Sequence, residues 1–230
     1  MKQAIRAART SILVWDAPVR VFHWLFALSF AGAYLTSGSE RWRLAHVTLG
    51  YTMAALLVFR LVWGFVGTRH ARFSDFVRGP REVLQYLRSM LQGRPAHHTG
   101  HNPAGAVAIV ALLALCAATT LFGWATYNEF GGEWLSQAHA VLGNTMLVVV
   151  CLHIAGVVLG SWQHHENLII AMVTGRKAGP PEESLRSAWR ALAAVLLAAV
   201  IGFWALEWQR APVPAAAVHA KVSAQHRGAH

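Results

Sequence analysis

The chain has 230 residues, of which 55% are hydrophobic and only 13% charged, with ten tryptophans and a formal net charge of +10. A soluble domain carries about 25% charged residues, so the composition excludes an ordinary water-soluble globule and points to a protein whose solvent is lipid. The positive charge lies mostly between apolar runs, where it can orient the chain and attract anionic lipid; nothing in it calls for nucleic acid.

In chain order, a basic segment at 1–20 carries Lys2, Arg6, Arg9 and Arg20. Apolar runs follow at 21–37, 45–66, 104–124, 138–161 and 188–206, each close to the ~20 residues that cross a bilayer. Without water to satisfy their backbones these runs must be helices, packed as a bundle. The first run is long and ends in "YLTSGSE", a poor cleavage site, so it is expected to be retained rather than removed as a signal peptide. Residues 38–44 make a tight turn. The connection at 67–103 contains "PREVLQYLRSMLQG" at 80–93, where Val83, Leu84, Leu87, Met90 and Leu91 form an apolar stripe. That stripe predicts a short amphipathic helix on the inner membrane surface, opened by Pro80 and closed by Gly93. A glycine-rich loop at 125–137 and a return through 161–187 complete the connections. The Pro/Ala-rich tail at 211–230 shows no periodicity and is expected to be a disordered extension.

Trp15, Trp24, Trp63, Trp162 and Trp189 mark one set of run ends; Trp42, Trp124, Trp134, Trp204 and Trp208 mark the other. These are the two interfacial belts. Fourteen of the Lys and Arg residues fall on the first side and five on the second. The positive-inside rule therefore places the N-terminus in the cytoplasm and the C-terminus outside. Cys116 and Cys151 lie mid-run without a C-x-x-C-H signature for covalent haem and read as small packing residues.

Two stretches nearly repeat, "AHVTLGYTM" at 45–53 and "AHAVLGNTM" at 138–146. Each opens an apolar run from the outer side. Of thirteen histidines, four lie in the runs: His23, His46, His139 and His153. Intramembrane ionisable groups are costly and normally mark function. His46 and His139 start their helices at the same depth. His153 lies fourteen residues beyond His139, roughly 21 Å at 1.5 Å per residue and nearly four whole turns, which brings it to the depth of His23 on the same helix face as His139. The four resolve into two pairs, His46/His139 near the outer surface and His23/His153 near the inner one. Paired imidazoles from different helices are what bis-histidine haem requires. Gly50 and Gly143, one turn past their histidines, would clear room for a porphyrin. Thr52 and Thr145 can bond within the helix or support a ligand. Arg60, one repeat offset from His153, and Arg20 are candidate partners for the inner haem's propionates; Arg41 and Arg43 are candidates at the outer one. A helix–helix hydrogen bond explains any single histidine equally well; four matched in depth within a repeat favour ligation. No Asp or Glu lies mid-run, which weighs against a proton-driven transporter or a dinuclear metal site.

"VWDAPVRVFHW" at 14–24, "HVTLGYTMAALLVFRLVWGFVG" at 46–67, "GHNPAGA" at 100–106 and "HENLIIAMVTGRK" at 165–177, together with the His139/His153 pair, resemble the bacterial cytochrome b-561 and hydrogenase b-type cytochrome family. The resemblance implies an all-α integral membrane fold. Its four-helix di-haem core occupies 21–177, with a fifth transmembrane helix in 178–210. It also implies that His23, His46, His139 and His153 ligate two b haems. Members pass electrons between an external redox protein and membrane quinone, so the expected function is an electron-transfer subunit of a quinone-linked oxidoreductase. The periplasmic partner would be a hydrogenase, another dehydrogenase or a cytochrome c, with quinone or quinol as exchangeable substrate. His164 and His165 are candidate proton relays. Two alternatives stand beside it: a self-contained quinone-linked superoxide oxidase, and a haem-free membrane interaction or transport subunit. The fifth run resembles hydrogenase-type members more than the four-span ones.

Overall fold

The computed structural model describes residues 10–93 and 98–210. The basic residues before Thr10, Arg94, His97 and the tail with its histidines lie outside that range. Strand β1 (Thr10–Leu13) leads into α1 (Ala17–Thr36), followed by α2 (Arg43–Val66), the short α3 (Phe73–Phe76) and α4 (Pro80–Leu91). Then come α5 (Pro103–Tyr127), α6 (Glu133–His164), α7 (Leu168–Thr174), β2 (Arg176–Gly179) and α8 (Arg190–Arg210). Helices α1, α2, α5, α6 and α8 are long and apolar enough to cross a membrane, as the five runs predict. Helix α6 starts at Glu133 and ends at His164, beyond the apolar run in both directions, because its polar ends continue as helix past the apolar stretch.

The helix starts are set by local chemistry. Asp16 caps α1, its carboxylate accepting the Val19 N–H at 2.8 Å, with Pro18 in the first turn. Asn102 caps α5 through the Gly105 N–H at 2.7 Å, ahead of Pro103, and Asn167 caps α7 through the Ile170 N–H at 2.9 Å. Each side-chain oxygen satisfies a backbone donor that the first turn leaves orphaned. The buried Asp16 carboxylate also accepts Trp63 Nε1–H at 3.0 Å and the Thr68 hydroxyl at 2.6 Å. One side chain thus fastens the start of α1 to the end of α2.

Helix α1 packs along α2, α5 along α6, and α2 against α5; α8 lies against α1 and touches α2. The shared core includes Phe30, Met53, Leu56, Cys116, Met146 and Val200. Cys116 fills this core as a packing residue, whereas Cys151 is exposed on α6. Leu28, Val58, Phe65, Val148, Leu152 and Val195 point outward, which in lipid carries no hydrophobic penalty.

A two-stranded antiparallel sheet is the element absent from the sequence expectations. β1 pairs with β2 in the register Thr10↔Gly179 to Leu13↔Arg176, and the amides of Val14 and Trp15 both donate to the Gly175 carbonyl. Gly175 has φ +81°, and a Cβ there would stand 2.6 Å from the Trp15 carbonyl oxygen, so glycine alone fits this close approach. The sheet joins the chain's start to the segment after α6 at one end of the bundle, called here the sheet end. Helix α4 forms as expected, but Tyr86 is its buried residue, while Leu84, Leu87 and Leu91 face away from the protein. Val83 and Met90 are half-buried, so the described residues cover only part of the stripe.

Candidate functional site

At the end opposite the sheet, α1, α2, α5 and α6 enclose a cavity of about 1000 Å³. Helices α2 and α6 do not pack along each other; they meet across this space through the rings of His46 and His139, whose centroids are 5.9 Å apart at an interplanar angle of 86°. His46 Nδ1–H donates to the Ala33 carbonyl of α1 at 2.8 Å. His139 Nδ1–H donates to the Thr119 carbonyl of α5 at 2.9 Å. A carbonyl can only accept, so in each neutral ring the proton sits on Nδ1 and the Nε2 lone pair is left over. That tautomer, fixed by a carbonyl behind the ring, is the arrangement that orients a metal-binding histidine.

The repeat divides its labour within each copy. Gly50 and Gly143 line the cavity, and a Cβ at either would meet nothing within 4 Å. Met53 and Met146 are both buried in the core, Met53 at the cavity wall and Met146 behind it. Thr52 and Thr145 each donate to the carbonyl four residues back, of Thr48 and Val141. Thr52 in addition accepts the Trp204 indole N–H of α8 at 2.9 Å. Two contributors are not foreseen from the sequence. One is Trp204. The other is Gly123 of α5, where a Cβ would stand 2.7 Å from His139 Cε1 and 2.9 Å from its Nδ1. A mid-helix glycine costs about 1 kcal/mol relative to alanine, and that cost is the signal that could have found it.

The cavity rim is polar. Tyr34 donates its hydroxyl to Asn144 Oδ1 at 2.9 Å. Arg43 lies 5.8 Å over the Tyr127 ring and 3.6 Å from the exposed Glu40 carboxylate. Arg43 lines the cavity; Arg41 does not, its guanidinium lying 5.7 Å over the neighbouring Trp42 ring.

His23 and His153 come near each other at the sheet end, close enough for their charges to interact. His23 Nδ1 is buried with no hydrogen-bond partner among the described residues. Arg60 is 3% exposed, donates from Nη1 to the Ala71 carbonyl at 3.0 Å, and has the Phe73 ring 5.0 Å from its guanidinium carbon. Arg20 donates to the Val173 carbonyl, while its Nε is buried without a partner among the described residues. The surrounding loops are tied by His70, which bonds Asp75 at 3.2 Å and the Glu183 carbonyl at 3.0 Å. Lys177 lies 3.4 Å from Glu166; burial pulls its ammonium below the usual lysine range against the opposing pull of that carboxylate. His164 closes α6, and His165 follows it in a left-handed turn with φ 51°. No group of three or more His, Cys, Asp or Glu that could hold a bare metal ion occurs among the described residues; the span histidines come in pairs.

The donor set suits a planar macrocycle held from both sides. Ordinary metal–imidazole bonds of about 2 Å put two opposed ring centres about 6 Å apart, and His46 and His139 already stand at 5.9 Å. Comparison with known proteins bears on the same point. The chain is 30% identical over 152 residues to a Rhodobacter capsulatus protein described as a probable Ni/Fe-hydrogenase B-type cytochrome subunit, covering 54% of this chain and 58% of that protein. It is 33% identical over 153 residues to a protein of the same description from Azotobacter chroococcum, covering 54% and 63%. A Bradyrhizobium diazoefficiens protein, again so described, is 25% identical over 214 residues, covering 74% and 87%. The match thus spans less than two thirds of the length of the first two relatives. No solved structure matches. The family signature described as prokaryotic cytochrome b561 matches residues 14–175, most of the chain, and together with the five apolar helices and the paired histidines this shows that the chain belongs to that family of membrane-embedded, electron-carrying b-type cytochromes.

Proposed function

We propose that this chain is the b-type cytochrome subunit of a membrane-bound hydrogenase, passing electrons between a periplasmic hydrogenase and the quinone pool. The observation that carries the reading is the His46/His139 pair, with both Nδ1 protons engaged by carbonyls and both residues lining one cavity. The relatives' descriptions supply the partner. His46 and His139 hold one haem b; His23 and His153 hold a second, with Arg60 and Arg20 as carboxylate partners there and Arg43 rather than Arg41 at the first site. Each haem, when bound between a pair of histidines, would supply a one-electron iron centre suited to electron transfer rather than to chemistry on a bound substrate.

The protein's own residues do the rest. Carbonyls of Ala33 and Thr119 fix the imidazoles, so the ligands need no reorientation. Gly50 and Gly143 keep the cavity wall clear. Met146 and Cys116, both fully buried, fill the core between the two ends. The basic sheet end faces the cytoplasm and the His46/His139 end faces the periplasm, where the partner docks. The exposed side of α4, with Leu84, Leu87 and Leu91, rests on the inner leaflet.

The test is reconstitution. Purified chain, a periplasmic Ni/Fe-hydrogenase and a quinone analogue under hydrogen should give reduced haem bands and quinol only when all three are present. Quinone reduction driven by superoxide with the chain alone would contradict the reading and select the superoxide oxidase.

A further inference from the structure

His101 lies just before α5, outside the four histidines of the spans, and neither the proposed ligation nor the comparisons give it a role. Its ring sits between Trp15 and Phe76, with centroids 4.5 Å away on both sides, tilted by 50° and 51°. Two aromatic neighbours fix the imidazole against rotation. Its Nδ1 is nonetheless buried with no hydrogen-bond partner among the described residues. A polar atom so placed costs free energy unless something bonds it.

The surroundings say what is missing. The charges that act on His101 come from Arg60, Lys177, His70 and His153, and all push against its protonation, along with burial itself. The nearby acids are already engaged. Asp16 accepts from Val19, Trp63 and Thr68; Asp75 accepts from His70 and lies 3.6 Å from Arg69; Glu166 pairs with Lys177 and accepts the Ala178 N–H. Arg60, almost fully buried, forms no ion pair among the described residues. Among them its guanidinium bonds one carbonyl and lies against two aromatic rings. The Asp16 carboxylate acts on it only through space, its oxygens being committed to Val19, Trp63 and Thr68. A directly bonded anion would therefore lower the cost of burying it. An unpartnered ring nitrogen, which donates when it carries the ring's proton, and a buried guanidinium with no directly bonded carboxylate, both against Phe76, make a receptor for one carboxylate.

We propose that His101, together with Arg60, holds a propionate carboxylate of the haem bound by His23 and His153, which makes it a positioning residue that tunes that haem. The inference rests on the di-haem reading above. The donor offsets the negative charge that the carboxylate projects toward the iron, and so favours the reduced state.

The experiment uses the purified full chain with its haems, in wild type, His101→Phe and His101→Gln. Phenylalanine keeps the aromatic slot filled without a donor; glutamine restores one. Haem per chain is counted, and both midpoint potentials are titrated, with assignment in a His46→Ala background. His101→Phe should lower the potential of the His23/His153 haem only, reducing its reduced-to-oxidised ratio at fixed potential about threefold to tenfold, the larger figure being about 59 mV for one electron. His101→Gln should recover most of that shift. Two haems at wild-type potentials in both variants would overturn the assignment. Unchanged potentials with a raised KM for quinone would also overturn it, by giving the donor to a quinone oxygen. One haem per wild-type chain, lost in His46→Ala, would instead overturn the di-haem reading beneath it.

Discussion

At the end of the bundle where His46 and His139 meet, both Nδ1 atoms are engaged by helix carbonyls and a cavity of about 1000 Å³ stands between the helices. At the sheet end, His23 Nδ1, His101 Nδ1 and Arg20 Nε are buried without partners among the described residues, and loop residues such as His70 and His101 stand beside the helix-borne ones. The first site is built by four helices and the turn that joins the first two, and its paired histidines are oriented before anything binds. The second is assembled where β1, β2, the α2–α5 connection and α7 converge, and its polar groups are completed by what binds there. Preorganisation at one end and ligand-dependent completion at the other predict different responses to mutation.

The largest effect is expected at Gly123. Gly123→Val drives side-chain atoms into the His139 ring, so the purified variant should lose the His46/His139 haem and keep the other; two haems of wild-type spectrum would break the comparison. Next comes Asp16→Ala, which strips one acceptor from three donors at the sheet end. Stability in detergent should fall by about 2–4 kcal/mol, followed by thermal loss of the haem bands, with haem content intact at low temperature.

Acid should act on the same end. His101, among Arg60, Lys177, His70 and His153, is held well below the ordinary imidazole value of 6.5, first by burial and then by those cations. In the unfolded chain it takes up a proton below about pH 6.5, while in the folded protein it does not, so the unfolded state binds more protons. Its contribution to stability is therefore full above pH 6.5 and declines as pH falls toward the depressed folded value. Melting temperature against pH, compared between wild type and His101→Phe, checks this; the variant should lose part of the acid sensitivity. The smallest effect is that of Trp204→Phe, which removes one bond from α8 to Thr52. It should cost about 0.5–1 kcal/mol and leave both haem spectra unchanged.

Depth was legible in the sequence because helix rise converts residue count directly into ångströms. The equal heights of His46 and His139, and the descent from His139 to His153, needed nothing more. Composition likewise revealed the five spans, since lipid selects for apolar length. Lateral relations were not legible. That Gly123 faces His139, or that Trp204 reaches Thr52, depends on which helix stands beside which, and a helix apolar all round has no strong side to declare it. The β1–β2 pair was hidden for a related reason. "TSIL" and "RKAG" are each too short to carry an alternating pattern, and their partnership is created by the bundle that brings distant segments to one end. His101 read as one of several loop histidines, because enclosure by Trp15 and Phe76 is a property of the folded loops alone. Arg41 and Arg43 were equivalent in sequence; only the turn after α1 separates the one that lines the cavity from the one that does not.

The measurement closest to the central claim is a dithionite-reduced minus oxidised spectrum of the purified chain with haem counted per polypeptide, beside His46→Ala and His153→Ala. The account predicts two b haems, with His46→Ala removing one and His153→Ala the other. No haem, or a single haem abolished by both substitutions, would contradict the division of these histidines into an outer and an inner pair.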